Sequence, residues 1–224
     1  MTGHEEQLEI FKLIGKQLKK KTECWVIGGS AMLFYGFKTV TKDVDLVFNN
    51  EDERQRMISS LESVGFAKRI HEIRDGKAPV LMERKEERFD LFLNDIISTK
   101  LSPGMTGRIK EKHEFNSMTV NVVSPEDIIV LKCATDRSGD RKDAADIINS
   151  REINWTTILD EAKWQAANGK KAFVVLLFDF VMELKDDYKI QMPKDFIAVL
   201  RKEYKAQLTE LLGKEKFREL SQRK

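Results

Sequence analysis

Asp43 and Asp45 lie one residue apart, on either side of Val44 and beside the apolar run Leu46, Val47 and Phe48. In a strand, residues two apart share a face, so both carboxylates point one way while Val44 and Leu46 point into a core. Two like charges that close repel, and each prefers a proton or a cation. A divalent metal resolves the conflict, and an oxygen-only ligand set selects Mg²⁺ or Mn²⁺. For a bare pair the plainer alternative stays open, in which one aspartate caps a turn and the other is solvated. Upstream stands Gly28-Gly29-Ser30. Two glycines allow a tight turn and close approach of backbone to a ligand, a following helix offers N–H groups to a phosphate, and Ser30 adds a hydroxyl. The turn is neither a dinucleotide fingerprint nor a P-loop, because the Gly-x-Gly-x-x-Gly and Gly-Lys-Ser/Thr patterns are missing from it. Asp90 supplies a third carboxylate, alternating with Phe89, Leu91 and Leu93. An aspartate inside a sheet costs stability unless it is solvated, paired or ligated. Beside the strand of Asp45 it would complete a three-carboxylate metal site; the alternative is a solvent-facing residue next to Arg88.

The elements that must position these groups are legible in outline. Leu8, Phe11, Ile14 and Leu18 recur at helical spacing and open the chain with an amphipathic helix that ends in Lys19, Lys20 and Lys21. Residues 24–27 read as a strand, 30–35 as a helix stopped by Gly36, 44–48 as a strand, and 51–64 as a helix ending at Gly65. Strands are expected over 79–83 and 88–93, with a turn at Asp75-Gly76 after an extended piece over 66–73. Residues 98–116 read as a long loop and 119–123 as a strand. Ser124-Pro125-Glu126-Asp127 is a strong helix start, with a cap, a proline at the first position and acids in the first turn. Ser138-Gly139 reads as a break before a helix over 141–148, and from Asn154 onward the chain is helical, punctuated at Asn168-Gly169 and Met192-Pro193. The order is therefore mixed α/β first and all-helical second.

At 224 residues the chain can bury a sizeable core. A formal net charge of +2 excludes a strong overall field for nucleic acid, while 34% charged residues fit solvated helices. Cys24 and Cys133 stand far apart in apolar and helical surroundings, as two reduced buried thiols would, which suits a cytoplasmic protein. The first residues lack the basic and apolar regions of a signal peptide. The longest apolar run, 173–182, is interrupted by Asp179 and is about half of a membrane span. His4, His71 and His113 show no metal-ligand spacing and read as surface residues.

A Gly-Ser turn, Asp-x-Asp on the next strand and a later apolar-Asp-apolar strand resemble the DNA polymerase β-type nucleotidyltransferase superfamily. The longer stretches GGSAMLFYGFKTVTKDVDLVF and SPEDIIVLKCATDRSGDRKDAADI are similar to its abortive-infection (AbiEii-like), toxin-type branch. The resemblance covers residues 24–150. It implies an α+β fold: a small mixed nucleotidyltransferase sheet flanked by helices over 1–123, then a helical C-terminal domain over 124–224, with the boundary between 124 and 151. It implies that Asp43 and Asp45 bridge two Mg²⁺ ions holding a nucleoside triphosphate such as ATP, whose phosphates also rest on Gly29 and Ser30. Asp90 would bind the second metal and help deprotonate an acceptor hydroxyl. Lys132 is the candidate for touching the triphosphate, with a salt bridge to Asp136 as its alternative, and Asp143 for contacting the nucleotide. Lys142 and Asp146 are placed to pair as scaffold. Lys38 stands where an arginine is common in the superfamily.

The function so implied is metal-dependent transfer of an NMP to a hydroxyl of a protein, a tRNA or a small molecule, with pyrophosphate release. A toxin-like component with a cognate antitoxin partner is the biological setting that the toxin-type branch suggests. The alternative is a catalytically inactive nucleotide-binding or antitoxin module. A two-metal phosphodiesterase would use similar carboxylates without needing the Gly-Gly-Ser turn.

Overall fold

The computed structural model describes residues 1–69 and 78–213. The Asp75-Gly76 turn and His71 lie outside the described residues. The fold is mixed α+β, and the chain divides into two compact units, Met1–Ile128 and Ile129–Lys224.

The first unit runs β1 (Thr2–Gly3), α1 (His4–Gln17), β2 (Thr22–Ile27), α2 (Gly28–Phe34), β3 (Val40–Thr41), β4 (Val44–Phe48), α3 (Glu51–Ser63), β5 (Ala67–Lys68), β6 (Val80–Arg84), β7 (Glu87–Leu93), β8 (Asp95–Ile96), β9 (Thr99–Lys100), α4 (Pro103–Gly107), β10 (Glu111–Phe115) and β11 (Met118–Val122). Its main sheet has the order β10-β11-β2-β4-β7-β6-β5, with the small β8/β9 hairpin attached to β7. The β11/β2 and β4/β7 pairs are parallel and the others on this path antiparallel. Directly opposed residues share a face. Val26, Leu46 and Leu91 are such neighbours and are fully buried, as are Cys24, Phe48, Phe89 and Val120 on the same face. Each large apolar side chain buried there stabilises the unit by roughly 1.5–3 kcal/mol. Helix α3 starts where its chemistry dictates: the Asn50 side chain accepts the Glu53 N–H at 2.9 Å, and Glu51, Asp52 and Glu53 fill the first turn.

Two readings of the sequence need correction. Residues 98–116 are not one long loop, because they hold β9, α4 and the edge strand β10. The signal was Asn116, whose φ of 54° makes the tight turn that pairs Phe115 with Met118. Secondly, Ser138-Gly139 is no break but the first turn of a helix.

Helix α5 (Pro125–Cys133) carries the division between the units. At its start the Asp127 N–H donates to the Ser124 hydroxyl at 3.2 Å, while that hydroxyl donates to the Asp127 carboxylate at 2.8 Å. The second unit continues as α6 (Ser138–Ser150), α7 (Trp155–Asn168), α8 (Phe173–Asp186) and α9 (Lys194–Leu212). Phe173, Val174, Leu177 and Phe180 of α8 are buried, and Trp155 meets Phe196 with ring centroids 4.8 Å apart. Cys24 and Cys133 are free thiols, and burial pushes both pKa values up. No helix among the described residues is long and apolar enough to cross a membrane.

One charged cluster holds α5 to α6. The Lys132 ammonium, 6% exposed, donates to Asp140 at 2.8 Å and to Asp143 at 2.6 Å. Asp140 also accepts from the Thr135 hydroxyl and from Arg137 Nε at 2.8 Å. Burial pushes the Asp140 carboxyl up, but these donors outweigh it and hold its pKa below the ordinary value.

Removing the ammonium takes the shared cation from two buried carboxylates, of which Asp140 keeps Arg137 and Thr135. Lys132→Met is expected to destabilise the protein by about 3–5 kcal/mol in urea melts followed by circular dichroism. Because the folded pKa of Asp140 is lowered, its stabilising contribution is complete above the unfolded value of about 4 and disappears as pH falls through the folded value. Asp140→Asn should therefore flatten the loss of stability in acid melts below that pH.

Candidate active site

Register places the predicted carboxylates side by side. Asp45 lies opposite Ile27 of β2 on one flank and opposite Asp90 of β7 on the other. The face they share is the reverse of the Val26–Leu46–Leu91 face. Asp43 sits in the bend just before β4 and leads into that strand. Its carbonyl accepts the Ser30 hydroxyl at 3.0 Å and the Thr41 hydroxyl at 3.1 Å, so two side chains pin the backbone that aims the Asp43 carboxylate. The strap β1 pairs with β3 from the other side, Thr2 opposite Thr41.

Gly28 and Gly29 are required by close approach. Gly28 has φ +60°, and a Cβ there would stand 2.6 Å from the Asp45 Oδ2. A Cβ on Gly29 would stand 2.5 Å from the Thr41 Oγ1. Helix α2 begins at Gly28, directly from β2, so the Gly-Gly-Ser segment is the first turn of the helix, not a separate turn before it. Ser30 is fully buried. Buried Gln7 donates its amide to the Ser30 carbonyl at 3.3 Å, and the Gln7 Oε1 is buried without a hydrogen-bond partner.

The residue that sequence reasoning undervalued is Arg88. Its Nε and Nη2 donate to the two oxygens of Asp90, each at 2.6 Å, and Nη2 lies 3.9 Å from Asp43 Oδ2. This two-pronged, charge-assisted pair is the strongest form of the interaction. Asp90 is 6% exposed. Burial pushes its pKa above the ordinary carboxylate value, and Arg88 pulls it part of the way back. Arg88 is in turn held more firmly protonated, first by its hydrogen bonds to Asp90 and further by the charges of Asp43 and Asp45. The sequence did contain the cue: Arg-x-Asp on a strand puts both side chains on one face.

The donor set of this face is carboxylate oxygen, the chemistry of a Mg²⁺ or Mn²⁺ site. Its present arrangement is different. Among the described residues no three His, Cys, Asp or Glu side chains are gathered so as to hold a metal ion, and both oxygens of Asp90 are engaged by Arg88.

Lys132 and Asp143 belong to the second unit, where they bind each other. The partners of Lys132 are Asp140 and Asp143 where sequence spacing suggested Asp136; Asp136 lies 3.8 Å from Arg141. Lys142 and Asp146 pair at 2.7 Å, as their spacing predicts. His113 stacks on Phe34, with ring centroids 4.6 Å apart, and its Nε2 lies 2.9 Å from Glu111. Lys38 runs past Gly29, with Cδ 4.0 Å from the position of a Cβ on that glycine.

No curated protein matches the chain. Among solved structures, ANT(2″)-Ia in complex with adenylyl-2″-tobramycin is 15% identical, with 79% of this chain and 96% of that one covered and a TM-score of 0.39. An antigenic nucleotidyltransferase-like protein from Paracoccidioides brasiliensis is 13% identical, with 78% and 94% covered and a TM-score of 0.41. A family model described as nucleotidyltransferase of unknown function (DUF6036) matches residues 6–168, which include Asp43, Asp45, Asp90, Lys132 and Asp143. The chain belongs to that nucleotidyltransferase family.

Proposed function

We propose that the protein transfers a nucleoside monophosphate from a nucleoside triphosphate, ATP among them, to a hydroxyl of an acceptor. The observation that carries this reading is Asp45 paired directly with Asp90, with Gly28 packed against Asp45 and Asp43 within 3.9 Å of the arginine that holds Asp90. The acceptor oxygen bonds to the α-phosphorus, the bond from that phosphorus to the bridging oxygen breaks, and pyrophosphate leaves. Asp90 takes the acceptor's proton. Asp43, Asp45 and Asp90 would hold Mg²⁺ or Mn²⁺, which would neutralise the triphosphate and make the hydroxyl more acidic.

The remaining work falls to this chain's own groups. The phosphates rest on the backbone of Gly29, where the Thr41 hydroxyl leaves no room for a side chain. Ser30, its hydroxyl taken by the Asp43 carbonyl, acts by fixing Asp43. Lys132 and Asp143, which bind each other within the second unit, are by the sequence resemblance the candidates for touching the triphosphate and the nucleotide. The buried free thiols suit a cytoplasmic setting. Protein side chain, tRNA 3′ end and small molecule are the acceptor classes, and a toxin-like role with a cognate antitoxin rests on the sequence resemblance. A second reading, an inactive nucleotide-binding module, draws support from the Arg88 fork on Asp90.

Incubating the full chain with each α-labelled triphosphate, Mg²⁺ and cell extract separates the two. Transfer predicts label in a discrete product and a fall of at least about a hundredfold in Asp43→Asn and in Asp45→Asn, both remaining folded. Retained nucleotide binding with no label transferred would sink transfer in favour of the inactive module. Gly28→Ala forces a Cβ onto Asp45 in left-handed backbone, and is expected to lower stability by about 1–2 kcal/mol in thermal melts as well as slowing transfer.

A further inference from the structure

Arg88 is a cation that the site already contains. A buried carboxylate needs a compensating charge, and Arg88 supplies it to Asp90 through both oxygens while reaching toward Asp43. A divalent ion shared by Asp43, Asp45 and Asp90 would satisfy the same need through the same oxygens. The two cations are therefore alternatives at Asp90. A guanidinium cannot escape by losing its proton, so it must move. It has room to do so, because the Arg88 side chain is 36% exposed while that of Asp90 is 9% exposed.

We propose that Arg88 is a positioning residue that occupies the metal side of Asp90, keeps the carboxylate face intact without a metal, and is exchanged for the ion when the site loads. This rests on the nucleotidyltransferase reading of the face and adds a step to it: Asp90 passes from arginine to metal, and Arg88 becomes available to the triphosphate. The fork geometry that fits a carboxylate also fits a phosphate. Free metal consequently binds against a built-in competitor, while metal and triphosphate together give both displaced partners a new one. Asp43 does not suffer this competition to the same degree, since the arginine stands 3.9 Å from it and donates both its bonds to Asp90.

The test is Mn²⁺ alone, titrated into the full chain and followed by electron paramagnetic resonance, for the unsubstituted protein, Arg88→Gln and Arg88→Lys. Competition predicts that Arg88→Gln binds Mn²⁺ at least about tenfold more tightly, with Arg88→Lys, which keeps the charge and loses the fork, in between. Without metal Arg88→Gln should melt lower than the unsubstituted protein, and Mn²⁺ should raise its melting temperature by the larger amount. If Arg88→Gln is too unstable to titrate, Arg88→Lys carries the comparison. Equal or weaker Mn²⁺ binding by the variants overturns the exchange while leaving the metal site standing. Binding by neither protein removes the metal reading of the face, and the exchange with it.

Discussion

Everything at the candidate site depends on how the charge of Asp90 is met. Asp45 and Asp90 are paired on one sheet face with Asp43 just before the strand; like charges so placed repel, and Asp90, the most buried of the three, cannot rely on water. Arg88 meets that charge from the same strand, two residues away, with both prongs of its guanidinium. The rest of the face is arranged around the result: Asp45 tucks against the bare α-carbon of Gly28, and Asp43 is aimed by a carbonyl that two hydroxyls hold. Arginine and aspartates together make an acidic face rich in oxygen donors whose most buried charge is already met.

The second unit solves the same problem in reverse. There one buried ammonium, Lys132, is shared by two aspartates that α6 presents to it. The arrangement ties the first two turns of α6 to the last turn of α5. Lys132 is thus part of the unit's internal framework.

How much of this was legible in the sequence follows from what kind of interaction carries each part. The central strands were, because Val44, Leu46, Phe89 and Leu91 alternate with Asp45 and Asp90 and the period of a strand is two. The start of α5 was, because Ser124, Pro125 and Asp127 are local signals. The edge strand β10 was hidden, since Glu111, Lys112, His113 and Glu114 show no apolar alternation and the strand is held by its partner β11. Ser30 was assigned to a ligand, while in the fold its hydroxyl goes to a carbonyl thirteen residues on, a contact that only tertiary structure creates. Lys132 was matched to Asp136 by helical spacing, yet the turn between α5 and α6 brings Asp140 and Asp143 to it instead. Arg88 was noticed only as a neighbour of Asp90, because sequence shows that two side chains share a face but not that they bond.

The most direct measurement is anomalous diffraction from crystals of the full chain grown with Mn²⁺ and a non-hydrolysable nucleoside triphosphate. The account predicts manganese peaks between Asp43, Asp45 and Asp90, phosphates beside Gly29, and Arg88 no longer bonded to Asp90. A nucleotide bound elsewhere, or a triphosphate at this face with Arg88 still forked on Asp90 and no metal at the carboxylates, would contradict it.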